Sequence, residues 1–214
     1  MSDNKHLTRP VQQWGEPREH ARVAVLAVHG RGQTPDFMRG VAKDIDAPGV
    51  RYYAPHAAGD TWYPLPFTAA LQDNEPDLTH ALAAVRATLA AIEADGFDRR
   101  RIVLWGFSQG ACLLAQFAVH EHPRVGGLVL FTGGYLGPAE IDAAPENPLD
   151  GVPALVRSIE HDPWVAAERV HWTAEALTRL GASVDLRIDP GDEHVITTEA
   201  TTSAAALLAG IPGP

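Results

Sequence analysis

Residues 103–122 read VLWGFSQGACLLAQFAVHEH: an apolar run, a Gly-Phe-Ser-Gln-Gly pentapeptide, then a second apolar run of helical length. The first run belongs to Ile102–Gly106, short and bulky enough for a strand buried on both faces. The second, Gln109–His120, reads as a buried helix. Between them the chain turns sharply, and Gly106 and Gly110 flank Ser108 where side chains would collide with neighbouring backbone. A G-x-S-x-G turn from strand to helix exposes its serine hydroxyl at a helix N-terminus, where free N–H groups and the helix dipole favour developing negative charge. The competing reading is a plain N-cap, the commonest use of serine before a helix.

Outward from this corner the same alternation repeats. Strand patterns at Arg22–Val28, Val50–Ala54, Gly127–Phe131, Pro153–Ile159 and Ser183–Ile188 interleave with helical patterns at Asp36–Ile45, Asp77–Asp95, Val165–Leu180 and Thr198–Ala209. In the clearest helix Leu78, Leu82, Val85, Leu89 and Ile92 share a face, with Asp77 expected as N-cap and Gly96 just past the end. Strands alternating with helices predict an α/β fold with a mostly parallel sheet covered on both faces. Pro55–Pro76, with four prolines and Trp62, Tyr63 and Phe67, is too long for a plain connection and is expected to form a lid or pocket wall.

The 214 residues, 45% hydrophobic and 21% charged, suit one folded domain, expected over residues 21–214 after a polar lead of residues 1–20. A net charge of −10 gives the long-range field the wrong sign for nucleic acid or an anionic membrane. Cys112 is the single cysteine, which precludes an intrachain disulfide and fits a reducing compartment. With no apolar leader and no 18-residue apolar run, no membrane insertion is expected and the cytoplasm is the expected location.

A serine hydroxyl is a weak nucleophile that needs a base, and the base needs a carboxylate to hold its tautomer. Around an exposed serine of this kind the chain order is Ser, then Asp or Glu, then His, each after a later strand. Asp162 follows strand Pro153–Ile159 and His194 follows strand Ser183–Ile188, so Ser108, Asp162 and His194 are the expected catalytic set. The oxyanion of an acyl transfer needs two donors. The expected pair is the backbone N–H of Gln109 and that of Arg31, in the glycine-framed His29-Gly30-Arg31-Gly32 loop. His29, Trp62, Tyr63, Phe67 and Trp164 are candidate pocket residues. Among the other histidines, His6, His20, His80, His120, His122 and His171 are expected in solvent, and His56 in loop packing. Their spacing matches no recognised metal site. Cys112 reads as a small packing residue and Trp172 as structural.

HGRG, APHAAGDTWYP, GFSQGA, a late DPWV and the G-x-x-H that ends at His194 together resemble the phospholipase/carboxylesterase family of α/β-hydrolases, relatives of acyl-protein thioesterases. The likeness runs from about Val23 to Ile196. It implies a compact α/β-hydrolase fold without a large cap domain, a serine hydrolase acting on carboxylic esters or thioesters through an acyl-enzyme, no cofactor, and a homodimer as the form of assembly. Ser108, Asp162 and His194 match the family's triad, and Arg31 and Gln109 its oxyanion positions. Two features depart from it: acidic Asp192 and Glu193 before the histidine, and Arg31 where thioesterases carry an apolar residue. Trp62, Tyr63, Pro64 and Phe67 resemble the esterase-like branch. Two alternatives are a lactone or dienelactone-type hydrolase, which would favour a cysteine nucleophile, and a catalytically silent fold kept for binding.

Overall fold

The computed structural model of the chain describes residues 4–141 and 147–213. Seven strands form one sheet: β1 (Gln12–Gly15), β2 (Val23–Val28), β3 (Val50–Ala54), β4 (Ile102–Phe107), β5 (Gly127–Phe131), β6 (Pro153–Ile159) and β7 (Ser183–Asp189), in spatial order β1-β3-β2-β4-β5-β6-β7. All neighbours run parallel except β1, which lies antiparallel on the edge strand side of β3. Among the described residues five α-helices accompany the sheet, α1 (Pro35–Ile45), α2 (Asp77–Ala94), α3 (Gln109–Glu121) and α4 (Ala167–Arg179) in connections between strands and α5 (Thr198–Gly210) after β7.

Period-two alternation divides the strand side chains between two cores. From β2, Ala24, Leu26 and Val28 enter one core with α2, α3 and α4, whereas Val23, Val25 and Ala27 enter the other with α1 and α5. Strand β4 repeats the division, with Ile102 and Leu104 on the first side and Val103, Trp105 and Phe107 on the second. Burial on both faces explains why the central strands read as unbroken apolar runs. At the other edge, Val184, Leu186 and Ile188 of β7 pack inward while Ser183, Asp185 and Arg187 face solvent. One sheet with helices on both faces is the α/β architecture expected from the sequence. Among the described residues no helix is long and apolar enough to cross a membrane.

Three expectations need correction. The sheet starts inside the lead, where Gln12–Gly15 pairs with β3 and Trp14 stacks on Tyr52 at 5.2 Å. Pro76 occupies the cap position of α2, so Asp77 is its first helical residue and pairs with Lys5 at 2.7 Å. His6 is buried, not solvated: its Nδ1 accepts the Ala58 N–H at 3.0 Å, and its ring packs on Trp62.

Candidate active site

At the carboxyl end of β4 the chain passes into α3 through Ser108, whose backbone sits at φ 53°, ψ −121°. That region is sparsely populated by residues with a side chain, and holding one there costs on the order of 1–3 kcal/mol. The two glycines make the turn feasible. A Cβ on Gly106 would come within 2.6 Å of the Ala111 nitrogen, and one on Gly110 would run into the Val28 carbonyl. Ser108 N–H donates to the Phe131 carbonyl at 2.9 Å, which fixes the turn to β5. The side chain caps nothing, so the N-cap reading of Ser108 fails. Its hydroxyl opens on a cavity of about 540 Å³ whose wall also includes His194.

His194 stands in the loop after β7, its ring packed on Phe107 at 5.0 Å. Its Nδ1 donates to Asp162 Oδ2 at 2.6 Å. The other carboxylate oxygen, Oδ1, accepts the Trp164 N–H at 2.8 Å and the Val165 N–H at 2.9 Å, so the turn after β6 clamps Asp162 from behind. Burial by itself would raise the Asp162 pKa, but the His194 hydrogen bond and the two amides outweigh it and hold the group below the ordinary carboxylate range. Asp162 is therefore an anion at neutral pH. Hydrogen bonding at Nδ1 leaves Nε2 of a neutral His194 free to accept a proton. Asp192 and Glu193 are exposed and form no ion pair among the described residues.

The loop after β2 passes close to Ser108: a Cβ on Gly30 would lie 3.1 Å from that of the serine. Gln33 Oε1 accepts the Gly30 N–H at 3.0 Å, and Gly32 N–H donates to the Asp60 carbonyl at 2.7 Å. No acceptor among the described residues takes the Arg31 or Gln109 backbone N–H. Both residues line the cavity. Their side chains do other work. The Arg31 guanidinium donates to the carbonyls of Tyr63, Pro64 and Leu65 at 3.0, 2.8 and 2.9 Å. Gln109 Oε1 accepts the Trp62 N–H at 2.9 Å while its Nε2 donates to the Tyr63 carbonyl at 2.8 Å. The aromatic loop is thus bolted to the nucleophile turn and to the Arg31 loop.

The model of the phospholipase/carboxylesterase family matches residues 12–209. The chain belongs to this family. Among solved structures, a phospholipase/carboxylesterase from Dyadobacter fermentans is 30% identical, with 94% of this chain and 97% of that one covered and a TM-score of 0.87. The Bacillus cereus carboxylesterase shares 18% identity over 99% of this chain and 100% of its own, with a TM-score of 0.74. Arabidopsis thaliana SOBER1 shares 20% over 88% and 98%, with a TM-score of 0.71. Family membership makes the chain an esterase-type α/β-hydrolase.

Of the pocket candidates, Tyr63, Phe67 and Trp164 line the cavity, together with Pro64, Pro66, Val165 and Cys112. His29 and Trp62 do not. Both are fully buried behind it, and their polar atoms are used within the loops. His29 Nδ1 bonds the Gly30 carbonyl, its Nε2 accepts the Ala57 N–H, and Trp62 Nε1 donates to the His29 carbonyl. Burial, the largest effect, lowers the His29 pKa to about 4, so the ring stays neutral as these bonds require. His56 bonds Asp60 at 2.7 Å and is a loop-packing residue. Sequence reasoning missed the side-chain roles of Arg31 and Gln109. The signal was their position beside the expected oxyanion amides, where a long polar side chain must find a partner. Among the described residues no group of three or more His, Cys, Asp or Glu side chains is arranged to hold a metal ion.

Proposed function

We propose that the protein hydrolyses carboxylic esters of small to medium acyl or aryl groups by a two-step acyl transfer at Ser108. The observation that carries this reading is the conformation of Ser108: strained, without a capping bond, and opening on the cavity shared with the His194–Asp162 pair. Strain without a structural duty is the expected mark of a reacting group.

In the first step Ser108 Oγ attacks the ester carbonyl carbon as His194 Nε2 takes the hydroxyl proton. The carbonyl oxygen becomes an oxyanion held by the Arg31 and Gln109 N–H groups. Asp162 keeps the Nδ1 proton in place and stabilises the imidazolium. As the intermediate collapses, the bond to the alcohol oxygen breaks, His194 returns its proton to that oxygen, and Ser108 keeps the acyl group. In the second step water attacks the acyl-enzyme and gives a proton to His194. Collapse then frees the acid and restores the Ser108 hydroxyl. Thioesters can follow the same path with a thiol leaving. The lone buried thiol of Cys112 suits a reducing compartment and supports a cytoplasmic location.

Kinetics of Ser108→Ala and His194→Ala on short aryl esters test this reading. Each should keep less than about one hundredth of the wild-type kcat/KM, since members of such a set act as a unit and their losses run to several powers of ten. A folded Ser108→Ala protein with near wild-type turnover would reject Ser108 as nucleophile.

A further inference from the structure

Strand β7 ends the sheet, so one of its two sides carries main-chain groups with no neighbouring strand. Its ladder to β6 shows which residues these are. Ser183 N–H donates to the Val152 carbonyl and the Asp189 carbonyl accepts the Glu160 N–H, both at 2.9 Å, so the odd-numbered residues of β7 bond inward. Main-chain direction alternates along a strand. The N–H and C=O groups of Val184, Leu186 and Ile188 therefore point outward, and among the described residues they have no partner.

The side chains of this strand differ on its two faces. Val184, Leu186 and Ile188 stand on the face packed by α4, where Val184 and Leu186 wall a groove of about 400 Å³ with Ala174 and Thr178. On the other face Asp185 and Arg187 are exposed, at 67% and 54% of their side chains. Asp185 uses Oδ2 on Arg157 at 2.8 Å and Arg187 uses Nε on Asp189 at 2.5 Å, which leaves Asp185 Oδ1 and both Arg187 Nη groups over among the described residues. Free edges are commonly guarded by lysines or prolines. Here the two charges are opposite in sign and sit one residue to either side of Leu186, the middle residue of Ser183–Asp189.

A two-fold axis at Leu186 makes the strand its own complement. Antiparallel pairing about that axis sets Leu186 against its copy, Val184 against Ile188, Asp185 against Arg187 and Ser183 against Asp189. The residues with outward main-chain groups then form the hydrogen-bonded pairs. Asp185 and Arg187 fall in non-hydrogen-bonded pairs, where side chains approach most closely, and symmetry makes this ion pair twice. On the opposite face the apolar side chains meet and the two grooves abut. An axis at Val184 would leave Arg187 facing Gly181 and Asp185 facing Ser183, and one at Ile188 would set Pro190, which has no N–H, against Leu186. We propose that β7 is the docking edge for a second copy of this chain, joining two sheets into one across a two-fold axis at Leu186. This concerns assembly and stands apart from the hydrolase reading.

Sedimentation velocity over a concentration series tests it, with circular dichroism to show that each variant is folded. The wild-type protein should sediment as a dimer at micromolar concentration. Arg187→Glu and Asp185→Lys should each weaken self-association by about tenfold or more, because like charges then face each other in both pairs. Mixed in equal amounts, the two variants should recover it, since the substituted positions meet with opposite charge and the untouched Asp185 and Arg187 still pair. Leu186→Cys gives a reading that holds even where Asp185→Lys, beside Arg157, unfolds. Oxidation should link two copies at position 186, whose Cα atoms lie about 5.5 Å apart in such a pair. Ser183→Cys, about 20 Å from its own copy in this register, should stay unlinked. A wild-type chain that is monomeric at every concentration overturns the proposal, and so does a dimer that folded Arg187→Glu leaves intact. Folded charge variants that fail to recover on mixing, or a link at position 183 and not at 186, overturn the two-fold pairing.

Discussion

Replacing Asp162 by Asn changes a single oxygen to an amino group, and the surroundings of Asp162 determine which one. Oδ1 accepts two backbone N–H groups, from Trp164 and Val165. An amide NH₂ placed there would face two donors. The Asn oxygen must therefore take that position, and its NH₂ must face His194 Nδ1, where Oδ2 now accepts at 2.6 Å. His194 responds by moving its proton to Nε2, the nitrogen that has to accept the Ser108 proton. The fold loses one charge-assisted hydrogen bond, worth about 1.5–3 kcal/mol. For a domain of this size the melting temperature should fall by roughly 3–12 °C. Turnover should fall much further, by about four powers of ten, because the wrong tautomer cannot act as base. That loss equals ~5.4 kcal/mol of transition-state stabilisation, well above the loss in stability. The assay is kcat/KM on a short aryl ester near neutral pH, with thermal unfolding of the same preparation. A folded Asp162→Asn protein that loses less than about tenfold would refute the reasoning.

Other expectations follow from the loop contacts. Arg31→Ala removes three hydrogen bonds to the carbonyls of residues 63–65 from an exposed side chain, so it should cost about 1–2 kcal/mol and lower activity on neutral and carboxylate-bearing esters of equal size to a similar extent. A loss confined to the carboxylate-bearing ester, with the melting temperature unchanged, would show that the guanidinium contacts substrate instead. Burial lowers the pKa of both His6 and His29 to about 4, below the unfolded value, so the unfolded chain binds more protons between that pH and about 6.5. Stability should accordingly be complete above about pH 6.5 and decline as the pH falls towards 4, by up to ~1.4 kcal/mol per pH unit for each ring. His6→Gln keeps an acceptor for the Ala58 N–H without a titrating group, and urea unfolding across this range should show a slope reduced by about half. An unchanged slope would remove His6 from the account.

The central strands and the Ser108 turn were legible because burial on both faces and the two glycines leave strong local signatures. The chain order of Asp162 and His194 followed from where their strands end. Strand β1 was not legible, since an edge strand that alternates half-buried Gln12 and Trp14 with exposed Gln13 reads as polar lead. Its register depends on β3, which is remote in sequence. His6 was misread for a related reason: its burial comes from Trp62 and Ala58, and no neighbour in sequence announces them. Trp62 and Phe67 belong to one loop and look alike in sequence, yet Phe67 reaches the cavity while Trp62 lies behind it. Gln109 separates them by holding the Trp62 backbone against the nucleophile turn.

The central claim is that Ser108 Oγ becomes covalently acylated. Its most direct test is a fluorophosphonate reaction with the intact protein, followed by peptide mass spectrometry to locate the adduct. The account predicts one phosphonyl group per chain, on Ser108, with loss of esterase activity in step, and no label on Ser108→Ala. A label on another residue, or an unlabelled chain that still hydrolyses esters, would contradict it.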